Sequence, residues 1–454
     1  MREAPLAVGL GHLVAAFGAD AVPEQVAEIA RRCLVDTVGV TLAGSAEQEA
    51  RIVAAVHGST EGDAVVLGRP ERVGALEAAL VNGTAAHALD FDDLSGVLGG
   101  HPSAPVVSAL LALASRRSVR GEDLLTAYLV GCEVSILLAP AVNPHHYDKG
   151  WHPTATLGVF GTAAACAKLL ALDGDQTATA LAIAASMASG VKANFGTMTK
   201  PLHVGLTARS GLTAALLAAE GFSANHDIFE HHQGFLEVFN GPGAFDASGV
   251  LERFASPLKM GEDSIIIKRY ACCGSTHAAI DVARALAERP DHDVAGIRSV
   301  TIRMPLQRLR HTDRPRPTTA LEGRFSVQYV TARALLDGDV RVADFHPDRV
   351  TDAAVAELLP RITTESIEPG QDGVGEWGAQ VVVSSSDGRE AVETVGDISA
   401  RGSAGRIAWG DIERKFLDCA RGVLPDGTAA RLLTGLRGID TVEDVGELIG
   451  LAGT

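Results

Sequence analysis

The sequence predicts a mainly α protein: a large all-helical domain formed by both chain ends and interrupted by a smaller α+β domain. Three observations carry this. Apolar residues follow the helical period up to about residue 260 and again from Ala408 onward, while strand-like alternation and a hairpin signal fill the stretch between. Aromatic residues make up only 4% of the chain while alanine is abundant, and small side chains let helix axes approach. At 454 residues the chain is also long enough for two domains or more. The expected division is 1–263 with 401–454 for the helical domain and 264–400 for the α+β domain.

Pro23 to Leu42 reads as an amphipathic helix charged at Glu24, Glu28, Arg31 and Arg32. Further helices are expected over Pro105–Arg116, Glu122–Leu138, Thr154–Leu170, Asp175–Ala188, Leu206–Glu220 and Asn225–Asn240, each bounded by Gly, Pro or a capping residue. Then the texture changes. GIRSVTIRMP (296–305) alternates Ile297, Val300, Ile302 and Met304 imperfectly with polar residues. AQVVVSS (379–385), then Asp387-Gly388, then Glu393–Val395 reads as a β-hairpin, with helices Ser275–Ala287 and Ser326–Leu336 interspersed.

A formal charge of −17 argues against a nucleic-acid partner, which requires a basic face, but says little about small anions. The six cysteines form no CxxC pair, so neither a zinc site nor a disulfide framework is indicated, as suits a cytoplasmic protein. MREAPLAVGLGHLVAAF does not read as a signal peptide, and no uncharged apolar run reaches the roughly 18 residues that would span a bilayer.

The candidate chemistry sits in clusters at helix ends. HALDFDD (87–93) is followed by Gly100-His101-Pro102-Ser103. In a helix Asp90 and Asp93 would share a face and Asp92 would not. The run suits a solvated acidic helix end as well as a functional carboxylate cluster. A magnesium site like that of helical terpene cyclases needs a second ligand set on a later helix, and none is present. His152, in GWHPT, precedes a helix whose positive end favours the neutral imidazole a base requires, though a turn-capping histidine fits there too. Lys200-Pro201-Leu202-His203 links two Ala-rich helices, and Pro201 biases Lys200 toward an extended backbone. Cation, imidazole and free N–H groups there suit a carboxylate; the plain alternative is a solvated lysine. Lys268 and Arg269 form a second cationic pair where the texture changes. Cys273 is either an acid/base group or a space-filler, and Tyr329 either a proton donor or a packing residue.

No Gly-rich phosphate loop, GxSxG elbow or metal-ligand helix occurs, so no metal and no organic cofactor is expected. Imidazole, ammonium and carboxylate groups fit proton abstraction next to a carboxylate. The base is expected at His152 with His101 as partner. Asp90 would orient one imidazole, and Lys200 or Lys268 would stabilise the developing negative charge.

HALDFDD, GHPSAPVVSALLALA, GWHPTATLGVFGTAAAC, GTMTKPLHVGLTARSGLTAALLAAEGF and KRYACCGSTHAAID resemble, in order, the signature blocks of the MmgE/PrpD family. The family includes 2-methylcitrate dehydratase, cis-aconitate decarboxylase and iminodisuccinate epimerase. The resemblance implies a helical domain from both chain ends, an inserted lid, a homodimer and an active site in the cleft. Carried over from decarboxylase-type members, the pocket would use Asp90, His101, His152, Lys200, Lys268 and Tyr329, with His203, Arg269 and Cys273 as further substrate contacts. Leu94 and Cys273 depart from the decarboxylase pattern, which has threonine and histidine there. The resemblance implies a cofactor-independent lyase, a dehydratase or decarboxylase, on a small di- or tricarboxylate. An epimerase of an amino- or imino-dicarboxylate is the alternative. A non-catalytic carboxylate-binding protein would instead show clustered cations without a buried Asp–His constellation.

Overall fold

A computed structural model describes residues 4–57, 61–261, 264–397 and 403–453; the domain boundaries expected at 263 and 400 lie outside the described residues. The chain is mainly helical. From Leu6 to Ala219 it runs largely as packed helices, the longest being Glu24–Gly44, Gly121–Leu138 and Thr199–Ala219. The segment Gly121–Ala141 is long and apolar enough to cross a membrane, but 94% of its apolar window is buried among neighbouring helices. Inside it Glu133 accepts hydrogen bonds from the Ala255 and Lys259 amides, which ties the helix to a loop of the same protein.

Small residues set how closely these helices approach. A Cβ on Gly205 would lie 2.3 Å from the Leu80 carbonyl oxygen, and one on Gly83 would lie 2.8 Å from the Gly205 Cα. Helix Ala75–Ala88 therefore lies directly against Thr199–Ala219, a contact no larger side chain permits. Gly83 meets Gly205, and just past the end of the first helix Asp90 meets Lys200 at the start of the second, so the two run antiparallel.

Ile412 and Phe416 of Trp409–Ala420, and Leu432 and Leu436 of Asp426–Arg437, are buried in one apolar cluster with Leu34 and Val38 of Glu24–Gly44. A second cluster holds the sheet-bearing segment together. Its four strands are ordered Ile362–Ser366, Ile297–Met304, Ala379–Ser385, Glu390–Val395; the first pair is parallel and the others antiparallel. Helices His277–Ala287 and Val327–Asp337 pack on it. The hairpin at Asp387-Gly388 forms as the turn residues demand, with Gly388 at φ 87°. The imperfect alternation of Ile297–Met304 has a local cause: the register shifts between Ile297 and Ser299, and the extra residue restores Val300, Ile302 and Met304 to the buried face.

Three expectations change. Of Asn225–Asn240 only Phe235–Asn240 is helical, because the Asn225 side chain accepts from the Asp227 amide and Gly234 is extended. Thr154–Leu170 divides at Leu157 into Pro153–Thr156 and Gly158–Leu169. Lys200 is helical rather than extended, since Pro201 falls in the first turn of Thr199–Ala219, where its missing N–H has no partner to lose.

Candidate active site

The site grows from one turn. Helix Ala75–Ala88 ends before Asp90, whose φ of 49° is left-handed, so the shared helical face expected for Asp90 and Asp93 does not exist. Asp90, Asp92 and Asp93 are all buried instead, each aimed at a different partner set.

Asp93 takes the Ser103 hydroxyl. Burial raises its pKa to about 7, against the lowering effect of Ser103. An acid raised this way holds its proton in the fold while the unfolded chain has lost it. Stability therefore falls as pH rises from about 4 to about 7. We expect Asp93→Asn to gain stability relative to the parent across that window, read as denaturation midpoints against pH; a difference constant with pH would refute the assignment.

Asp90 gathers the cations. Its Oδ1 accepts from Lys200 Nζ and Lys268 Nζ, each at 2.8 Å, and Lys268 also donates to the Asp90 carbonyl at 2.6 Å. Lys268 arrives through a short antiparallel pairing, Leu94 opposite Ile266 and Ser95 opposite Ile265. Burial would push Asp90 up, but the two ammonium groups hold it well below the usual carboxylate range. Burial likewise disfavours the Lys268 cation, and Asp90 and Asp92 reverse this and raise its pKa.

Asp92 is the carboxylate that meets the imidazole Nδ1 atoms. It accepts from His87 Nδ1 at 2.9 Å and lies 3.2 Å from His101 Nδ1, whereas Asp90 stands 3.7 Å from His101 Nε2. His101 Nδ1 is also 2.7 Å from the Asp93 carbonyl oxygen, which can only accept, so the neutral ring carries its proton on Nδ1 and offers the Nε2 lone pair. His152 Nδ1 meets His203 Nδ1 at 3.2 Å. Burial first, then Lys200 and the neighbouring imidazoles, hold His152 well below its ordinary value, and burial takes His203 to about 4. The neutral state expected of His152 thus comes from burial more than from a helix dipole, the helix it caps being only four residues long.

These groups open on a cavity of about 400 Å³, within the range of small-molecule sites. Asp90, His101, His152, Lys200, Lys268 and Cys273 line it, with Leu94. Burial raises the Cys273 pKa, so it stands as a thiol in the wall. Three expected residues stand elsewhere. Tyr329 is fully buried in the core of the sheet-bearing segment and donates to the Asp344 carbonyl, and it does not line the cavity. Arg269 is solvent-facing, 3.8 Å from Asp281, because its neighbour Lys268 takes the inward position. His203 lies behind His152, ring to ring, and does not line the cavity.

His87, Asp90, Asp92 and His101 place one ligand atom each within 4.8 Å of one another. The carboxylate end of this set does not suit a metal, because Asp90 Oδ1 already faces two ammonium groups. A cation there would meet Lys200 and Lys268 at close range.

Helical packing around a buried Asp–His–Lys pocket defines the class. The MmgE/PrpD N-terminal domain matches residues 8–248 and the MmgE/PrpD C-terminal domain residues 270–437, and the chain belongs to the MmgE/PrpD family. It is 32% identical to cis-aconitate decarboxylase of Homo sapiens over 94% of this chain and 90% of the human protein. It is 30% identical to the Mus musculus protein of that name, over 93% and 88%. Against cis-aconitate decarboxylase of Aspergillus terreus it is 28% identical, over 85% and 83%.

Proposed function

We propose that the protein is a lyase working by proton transfer on a small di- or tricarboxylate without a cofactor, with decarboxylation as its leading form. The observation that carries this is the buried Asp92–His101 pair, whose Nε2 shares a cavity with the Asp90–Lys200–Lys268 cluster. A site that only binds carboxylates has no use for an imidazole backed by a buried carboxylate. The names of the relatives favour loss of carbon dioxide.

In this reading Lys200 and Lys268 hold the carboxylate next to the reacting carbon. The C–C bond to a second carboxylate breaks, carbon dioxide leaves, and its electron pair passes into the remaining carboxylate system, where the ammonium groups stabilise it. His101 takes a proton from solvent at Nε2, its cation supported by Asp92, delivers that proton to carbon and is left neutral. In a dehydration the same nitrogen would first take the proton and hydroxide would leave. Leu94 and Cys273 line the wall where decarboxylase-type members carry threonine and histidine. This favours a carboxylate other than cis-aconitate, and keeps as second reading an epimerase that only removes and returns a proton. The sheet-bearing segment would serve as a lid, and a homodimer is expected, read by light scattering.

Incubating the full chain with citrate, cis-aconitate, 2-methylcitrate, malate and aspartate in deuterated water tests the proposal by NMR. Deuterium entry with loss of carbon dioxide or water supports it, exchange alone selects the epimerase, and neither with any acid refutes both. Lys200→Ala should lower kcat/KM at least about tenfold, a charge-assisted contact contributing about 1.5–3 kcal/mol. Lys268 still pairs Asp90, so the variant keeps its fold. Unchanged kinetics would remove Lys200 from the site.

A further inference from the structure

Charge balance at the reacting end leaves a requirement unmet. Lys200 and Lys268 pair with Asp90, and Asp92 acts on Lys268 through space, so two ammonium groups offset two carboxylates. A di- or tricarboxylate adds two or three negative charges to a half-enclosed cavity, where unbalanced charge is costly. Among the described residues the cavity wall holds one further cation, Arg308, supplied by the short helix Leu306–Thr312 that follows strand Ile297–Met304.

Arg308 is held and left available at once. Its guanidinium lies 3.5 Å from the ring centroid of Trp377, and its Nε donates to the Glu376 carbonyl at 3.2 Å. The two terminal nitrogens have no hydrogen-bond partner among the described residues, and the carboxylates of Glu376 and Asp397 act on the guanidinium through space. Stacking fixes the plane of the fork, which is what two-point capture of a carboxylate needs. On the same short helix His311 Nε2 lies 3.1 Å from the Ser275 hydroxyl, and both residues line the cavity. Burial holds His311 at about 4, so it is a neutral hydrogen-bonding neighbour and not a competing charge.

We propose that Arg308, braced on Trp377 and flanked by the His311–Ser275 pair, binds a second carboxylate of the substrate and selects di- and tricarboxylates over monocarboxylates. This rests on the carboxylate reading of the site and adds what that reading lacks, a receptor for the group that does not react. It also sets a division of labour. The lysines come from the helical part and the segment after the Leu94–Ile266 pairing, and the arginine comes from the sheet-bearing part, so a substrate with two carboxylates bridges them.

Calorimetric titration of the full chain with propane-1,2,3-tricarboxylate, succinate and butanoate tests this, using the parent protein, Arg308→Gln, Arg308→Lys and Lys200→Ala. The parent should prefer the tricarboxylate to butanoate. Arg308→Gln should weaken tricarboxylate and succinate binding at least about tenfold and leave butanoate unchanged, as loss of one charge-assisted pair implies. Arg308→Lys, which keeps the stem and the charge but not the fork, should fall between, and it carries the test if the Gln variant does not fold. Equal weakening of all three acids, or of none, in either variant overturns the proposal. If Lys200→Ala weakens binding and the Arg308 variants do not, only this inference falls. If the parent binds none of the acids, the carboxylate reading falls with it.

Discussion

His101→Gln is expected to cost about 10²–10⁴-fold in kcat while the fold survives, the usual contribution of a positioned acid or base. The geometry behind this is specific. The Asp93 carbonyl and the Asp92 carboxylate receive Nδ1–H, so Nε2 is the only nitrogen free to exchange a proton, and it lies at the cavity beside Asp90. After protonation the cation has Asp92 at 3.2 Å and Asp90 at 3.7 Å. His152 lacks that support: its environment holds Lys200 and other imidazoles, all of which disfavour a positive ring. We therefore propose His101 as the acid–base group in place of the expected His152, with His152 as a neutral hydrogen-bonding group. Solvent-deuterium exchange into substrate decides the order. Exchange should vanish in His101→Gln and persist, reduced, in His152→Gln; the reverse pattern would restore His152, and persistence in the double variant would remove both.

The second large effect is on stability. Asp90→Asn leaves Lys200 and Lys268, 5% and 1% exposed, facing each other across an amide. Removing one member of a buried ionic cluster typically costs about 3–5 kcal/mol, because uncompensated charge remains in a poorly solvating interior. The pH dependence follows from the two shifts. The folded pKa of Asp90 is depressed, so its contribution is present above about pH 4 and lost as pH falls through the folded value. The folded pKa of Lys268 is raised, so its contribution is present below about pH 10.5 and lost as pH rises through the folded value. Parent and variant should differ most between these limits and converge toward both extremes. Chemical denaturation at several pH values would show it, and a gap under about 1 kcal/mol at neutral pH would refute the central role of Asp90.

Much of the fold was legible in the primary structure because periodicity is a local property. Helix Glu24–Gly44, strand Ala379–Ser385 and the turn at Asp387-Gly388 each follow from residues within one or two turns of themselves. The helix expected over Asn225–Asn240 failed because side chain–backbone bonding at Asn225 and an extended Gly234 overrode a permissive composition. Of the site, Asp90, His101, His152, Lys200, Lys268 and Cys273 were found and do line the cavity. Tyr329 carried the right chemistry and the wrong address, since a helix start in sequence does not say which way the helix faces. Arg308 could have been noticed as one of several arginines between 303 and 316, but nothing local separates it from its exposed neighbour Arg310.

By itself the sequence determined that helices dominate, where the sheet-bearing stretch lies, and which residue types the chemistry draws on. The tertiary structure alone decided which carboxylate does which task. Asp90, Asp92 and Asp93 are near-equivalent in sequence, yet one left-handed residue and one glycine-tight helix contact turn Asp90 to two lysines, Asp92 to two histidines and Asp93 to a hydroxyl. The physical reason is that a buried charge is governed by its neighbours within a few ångströms, and those neighbours come from segments up to 178 residues apart in the chain.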